Sequence, residues 1–130
     1  MISSKKVNIQ KNFHIRRHPQ IRQDLQDVCE ELREKFEKLY TTILKVDPYN
    51  CYLEINPDRC IQLDHHELDS HRELSGYRAI DIIHTVEGYR EYYRIVYRII
   101  DTDRQKCVEI ISFGLHNYAY DLARKRVRNT

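Results

Sequence analysis

Apolar residues recur at steps of three and four through Ile21, Leu25, Val28, Leu32, Phe36, Leu39 and Ile43. That spacing gathers side chains on one face of a helix. Between them stand Asp24, Asp27, Glu30, Glu31, Glu34, Lys35, Glu37 and Lys38, a charged outer surface with i,i+4 pairs such as Glu31–Lys35 and Glu34–Lys38. Pro48 stops the run. No glycine or proline divides it, so it suits one long helix or two in a hairpin bent near Cys29, of which we favour two. Ahead of it Val7, Ile9, Phe13 and Ile15 loosely alternate, predicting a first strand over Val7–Ile15. His18-Pro19 interrupts the chain, with Pro19 suited to the first turn of the helix that follows.

After Gly76 the period changes to two. Three strands are predicted, Tyr77–His84, Tyr92–Ile100 and Cys107–Phe113, with turns at Glu87-Gly88 and Asp101–Gln105. In the middle strand Tyr93, Ile95, Tyr97 and Ile99 point one way and Tyr92, Arg94, Val96, Arg98 and Ile100 the other. Short connections make the three an antiparallel meander. Gly114 ends the third, and Tyr118–Arg126 reads as a short helix. From Pro48 to Gly76 the pattern is irregular. Tyr52–Ile55 and Cys60–Leu63 suit short strands around Asn56-Pro57-Asp58, and Asp64–His71 suits a polar loop or a short helical turn. The expected fold is therefore α+β: an N-terminal strand and a helical pair packed on an antiparallel β-meander, then a short C-terminal helix. It forms one domain over 1–130, with a flexible start at 1–6 and an irregular insertion at 49–72.

Composition agrees with a packed domain. The chain has 130 residues, of which 41% are hydrophobic and 32% charged, too apolar for disorder. It has no tryptophan and ten tyrosines, so some rings lie where their hydroxyls find partners, at the core's edge or in a groove. A net charge of +2 does not by itself argue for a polyanion. Its distribution says more, because Arg124, Lys125, Arg126 and Arg128 crowd the C-terminus, where they suit either phosphates or the helix dipole. The N-terminus Met1–Lys6 has no apolar signal core, and no apolar run reaches membrane-spanning length. Cys29, Cys51, Cys60 and Cys107 show no C-x-x-C spacing and read as reduced thiols. The expected compartment is the cytoplasm.

Three groups of residues could carry chemistry. His65, His66 and His71, with Asp64, Glu67 and Asp69, are metal-rich in composition, but no two of these histidines stand i,i+4 and no H-E-x-x-H occurs. A solvated loop is the better account, and no metal or other cofactor is expected. Arg94 lies at the centre of the predicted middle strand and needs an anionic partner, either Asp81 or Glu109 on a neighbouring strand or a ligand's phosphate. His116 and Tyr120 follow the end of the third strand, where an imidazole can move protons and a phenol can orient a phosphate or stack on a base.

The stretches Leu74-Ser75-Gly76-Tyr77-Arg78-Ala79-Ile80-Asp81, Tyr93-Arg94-Ile95-Val96-Tyr97-Arg98-Ile99 and Ile110-Ile111-Ser112-Phe113-Gly114-Leu115-His116-Asn117-Tyr118-Ala119-Tyr120 resemble the RelE/ParE toxin superfamily. Asp121–Arg126 resembles its tail helix, and His18-Pro19 with Asp24-Leu25 its opening. The resemblance implies a RelE-like fold and the toxin of a bacterial type II toxin–antitoxin pair. It implies a ribosome-dependent, metal-independent endoribonuclease that cuts messenger RNA and blocks translation. In that chemistry a 2′-hydroxyl attacks the adjacent phosphate, a base removes its proton, an acid protonates the leaving 5′-oxygen, and arginines stabilise the pentacoordinate phosphate. Carried over by position, Arg94 binds the scissile phosphate and Tyr120, or Tyr118 with a two-residue slip, orients or stacks beside it. His116 serves as general acid, and Arg78 is a basic residue of the preceding strand. Arg124, Lys125, Arg126, Arg128 and Tyr118 would contact RNA. Ile80 stands where a lysine is usual, and Glu73, Asp81 and His84 are the candidates for general base. The implied partners are a cognate antitoxin, which can displace the tail helix, and the ribosome with its messenger RNA. The resemblance also leaves open a ParE-like gyrase poison and a non-catalytic interaction domain on the same fold.

Overall fold

The computed structural model of the chain describes residues 12–39, 43–49, 60–62 and 73–128. The expected strand residues Val7–Lys11, the expected strand Tyr52–Ile55 with the turn Asn56–Asp58, and the histidine-bearing segment Asp64–His71 lie outside them. Among the described residues the fold is α+β. The periodic run parts at Asp27–Cys29 into α1 (Ile21–Gln26) and α2 (Glu30–Leu39), the bend expected near Cys29. Pro19 stands in the turn ahead of α1 rather than in its first turn, and the Ile21 N–H donates to the His18 carbonyl at 3.0 Å.

The strands are β1 (His14–Arg17), β2 (Cys60–Gln62), β3 (Arg78–Val86), β4 (Tyr89–Asp101) and β5 (Lys106–Leu115). They form one sheet in the order β1-β5-β4-β3-β2. β3, β4 and β5 are the expected meander, and β1 joins it parallel to β5, pairing His14 with Cys107 and Arg17 with Ile110. The β3–β4 turn is tight. Glu87 and Gly88 take φ of 49° and 87°, the positive values that match a two-residue hairpin to the strand twist.

Alternation along β4 divides the molecule into two cores. Ile95 and Tyr97, with Tyr93 and Ile99 beside them, meet Phe13, Ile21, Leu25, Leu32 and Phe36 on the face covered by α1 and α2. Val96 meets Ala79, Ile111 and Leu74 on the other face, under α3 (His116–Arg128). The register of β4 on β5 shifts by one between Val96 and Tyr97, so Ser112 opposes Val96 while Ile110 opposes Tyr97. The extra residue is Ile111. The bulge turns Ile111 and Ser112 toward the same face. There Ile111 joins the smaller core and the Ser112 hydroxyl donates to the Ala119 carbonyl at 2.7 Å.

The C-terminal helix begins two residues earlier than Tyr118, and β5 passes into it with no residue between. Ala119, Tyr120, Ala123 and Arg126 are its buried positions, whereas Tyr118 is 60% exposed and Leu122 only half-buried. Two alanines let the helix axis lie close to the sheet. A methyl group at Gly114 would sit 3.2 Å from Tyr118 Cδ2. That ring is exposed and free to turn, so we expect Gly114→Ala to change stability by less than about 1 kcal/mol in urea unfolding. A loss above about 3 kcal/mol would mean that the strand–helix junction cannot yield.

Candidate functional site

Three residues singled out from the sequence meet on the α3 side of the sheet. Arg94 leaves the middle of β4 on that face, and the start of α3 lays Tyr120 over it. The Arg94 guanidinium carbon lies 4.9 Å from the centre of the Tyr120 ring, and its Nη1 donates to the Tyr120 hydroxyl oxygen. The His116 ring packs edge-on against Tyr120 at 5.5 Å, one turn earlier on the helix. Burial pushes the Tyr120 phenol above its ordinary value, with Arg94 pulling the other way. The phenol therefore keeps its proton at neutral pH. His116 is half-buried, with Nδ1 2.8 Å from the Asn117 side-chain oxygen.

The same geometry shows what Arg94 already holds. Asp81 is its direct neighbour on β3, and both Nε and Nη2 reach Asp81 Oδ1 at 2.6 Å. The two side chains are 9% and 17% exposed. Of the two carboxylates expected as internal partners, Asp81 takes the role. Glu109 bonds Arg98 and Arg16 instead. Asp81 as a general base would have to give up a buried arginine. The other candidate bases lie elsewhere. Glu73 pairs with Arg128, which holds its carboxyl below the usual range. His84 is buried on the opposite face, with Nε2 3.5 Å from Cys29 Sγ and its ring edge-on to Tyr93.

Arg78 does not join the set. Strand alternation puts it on the face of Ile80 and Ile82, toward the helical hairpin, while Ala79 and Asp81 face Arg94's side. Its guanidinium reaches the Tyr49 carbonyl and lies 6.0 Å from the centre of the Tyr49 ring. Ile80, where the resemblance would put a lysine, is a core residue.

The five residues expected to contact RNA do not make one basic face. Arg124 bonds Asp121 across a single helical turn, and Arg128 bonds Glu73 at 2.7 Å. Arg126 is buried. Its Nη1 and Nη2 each donate to an Asp24 oxygen at 2.7 Å, Nη1 also reaches the Ile111 carbonyl, and Nε reaches Gln20. Arg124 and Arg128 stand apart from a hollow of about 620 Å³ beside α1 that Tyr118, Lys125 and Arg126 line. The tail is thus anchored by a buried ion pair, and not only by Tyr118, Tyr120, Leu122 and Val127.

Sequence reasoning passed over the cations on the far side of α3. Arg16 on β1 and Arg98 on β4 share Glu109 of β5, at 2.9 and 2.6 Å. Alternation already placed Arg98 on the face of Arg94. Arg16 was beyond local pattern, since it arrives through the parallel pairing of β1 with β5. No helix among the described residues is long and apolar enough to cross a membrane. No protein-family model, no curated protein and no solved structure matches the chain.

Proposed function

We propose that this chain is a toxin of the RelE/ParE superfamily, directed at messenger RNA on the ribosome and held inactive in the cytoplasm by a cognate antitoxin. One observation carries the reading: Arg94, Tyr120 and His116 come together at the start of α3, in the order and on the elements that the resemblance requires. The order of elements supports it as well, with strand, helical pair, meander and terminal helix all present. In this reading a backbone phosphate takes the place of Asp81 on the Arg94 fork, which binds such groups bidentately. Tyr120, protonated, supplies a hydrogen bond to a phosphate oxygen. The Asp81 carboxylate released from the fork takes the 2′-hydroxyl proton as that oxygen closes on phosphorus, and His116 gives a proton to the departing 5′-oxygen.

A second reading has its own observation. An arginine held at 2.6 Å by a mostly buried acid is already satisfied, which favours a domain that binds its target and cuts nothing. The gyrase-directed form of the fold belongs with that reading. Induction of the chain in a bacterial host, with RNA ends mapped during growth arrest, separates the two. We expect new RNA ends with the native chain and a loss of at least about 100-fold in their formation with His116→Ala, since general acid catalysis contributes on that scale. His116 lies outside both cores, so the variant stays folded. Arrest without new RNA ends would remove the nuclease reading, and gyrase-dependent DNA breaks would replace it.

A further inference from the structure

A hollow of about 410 Å³ opens where β1, β4 and β5 meet the C-terminal end of α3. It lies on the face of Arg94 but beyond α3 from it, since Arg98 is four residues further along β4, about 13 Å at strand rise. Arg16 and Arg98 stand at its rim, 45% and 43% exposed, and share the single carboxylate of Glu109. Two guanidiniums against one carboxylate leave a unit of positive charge. Arg98 gives Glu109 its Nε and Arg16 gives one Nη, so each guanidinium keeps N–H groups with no partner among the described residues. His18 adds a donor. Burial and the nearby Arg126 push its imidazole down, and Nδ1 accepts the Gln20 N–H at 3.1 Å, which leaves the ring proton on Nε2. Arg126 lines the hollow but is held by Asp24, Gln20 and the Ile111 carbonyl, and acts as a wall. Pro19, Ile111 and Val127 supply apolar surface, and Arg98 is steadied over the Tyr77 ring at 5.8 Å.

We propose that this hollow binds one nucleotide unit, its phosphate on Arg16 and Arg98 and its base against Pro19, Ile111 and Val127. A guanidinium pair left with one unit of positive charge suits a phosphate more than a carboxylate, because the remaining N–H groups match its several oxygens. The volume falls in the range of small-molecule sites. The unit comes either from an RNA strand, which the proposed function would supply, or from a free nucleotide. The inference does not depend on cleavage.

The test is titration of the full chain, followed by NMR and calorimetry, with adenosine 5′-monophosphate, adenosine, inorganic phosphate and a short unstructured oligoribonucleotide. We expect the monophosphate to bind more tightly than adenosine or phosphate, with shifts at Tyr77, Arg98 and Val127. Arg98→Ala should weaken it on the order of tenfold or more. Glu109→Gln should tighten it, because the competing carboxylate is gone. That gain is one a merely structural role for the cluster would not produce. His116→Ala should leave this binding unchanged, so loss of the nuclease reading does not carry the hollow with it. A stronger response to the oligoribonucleotide identifies a strand as the source, and a stronger response to the monophosphate a free nucleotide. Equal binding of adenosine and its monophosphate, native affinity in Arg98→Ala, or weaker binding in Glu109→Gln would each overturn the proposal.

Discussion

Arg126→Ala is expected to lower the unfolding free energy by about 3–5 kcal/mol, the scale for breaking one partner out of a buried ion pair. The side chains of Arg126 and Asp24 are 5% and 3% exposed, so water barely reaches either charge. Asp24 is also fixed from a third side, because its Oδ2 accepts the Phe113 N–H at 3.0 Å. With the guanidinium gone, a carboxylate stays enclosed between α1 and β5 with that one bond to hold it, and the Ile111 carbonyl loses a donor. The pair Arg126→Met with Asp24→Leu should recover most of the loss, since neither charge then remains to be compensated. Urea unfolding with an unchanged slope is the measurement. A loss below about 1 kcal/mol for Arg126→Ala would show that water enters the site and that the pair is a surface one.

Breaking the Arg94–Asp81 pair should have the next largest effect, and its two halves should part in an informative way. Arg94→Met is expected to lose about 2–3 kcal/mol, less than the fully enclosed pair because Asp81 keeps some contact with water. Asp81→Asn should lose less, about 1–2 kcal/mol, since its amide oxygen can still accept from the fork. It should also raise affinity for RNA, because a phosphate then meets Arg94 with no acid to replace. Binding of a short oligoribonucleotide across a salt series reads this directly, as neutralised phosphates steepen the salt dependence. Weaker RNA binding in Asp81→Asn would assign Arg94 and its acid to the architecture alone, and would favour the non-cutting reading.

The sequence made some of this legible for local reasons. Period-two alternation in β4 assigned Ile95 and Tyr97 to one face and Arg94, Val96 and Arg98 to the other, and both cores follow that division. The turn at Glu87-Gly88 and the break near Cys29 were legible because backbone conformation there is decided by a few adjacent residues. What stayed hidden depends on contacts between distant residues. Four cations within five positions near the C-terminus looked like one patch. The helix sends them in different directions, and Asp24, 102 positions away, decides that Arg126 is interior. Arg78 was grouped with Arg94 through the resemblance, which carries a basic residue on the preceding strand. They differ by an odd number of steps once the register of Arg78 with Tyr97 and of Asp81 with Arg94 is known, so they leave the sheet on opposite sides. Arg16 joined Arg98 through a parallel pairing that no local spacing announces.

The missing loop between β5 and α3 has a mechanical consequence. Leu115 ends the strand and His116 begins the helix, so the tail has no slack on which to swing. A protein that pries the tail from the sheet must either unwind its first turn, taking His116 and Tyr120 with it, or fray the end of β5 beside Gly114. Capture of the tail and dismantling of the Arg94 cluster are therefore one event, and a partner that grips this helix acts at the same time on the residues at its base.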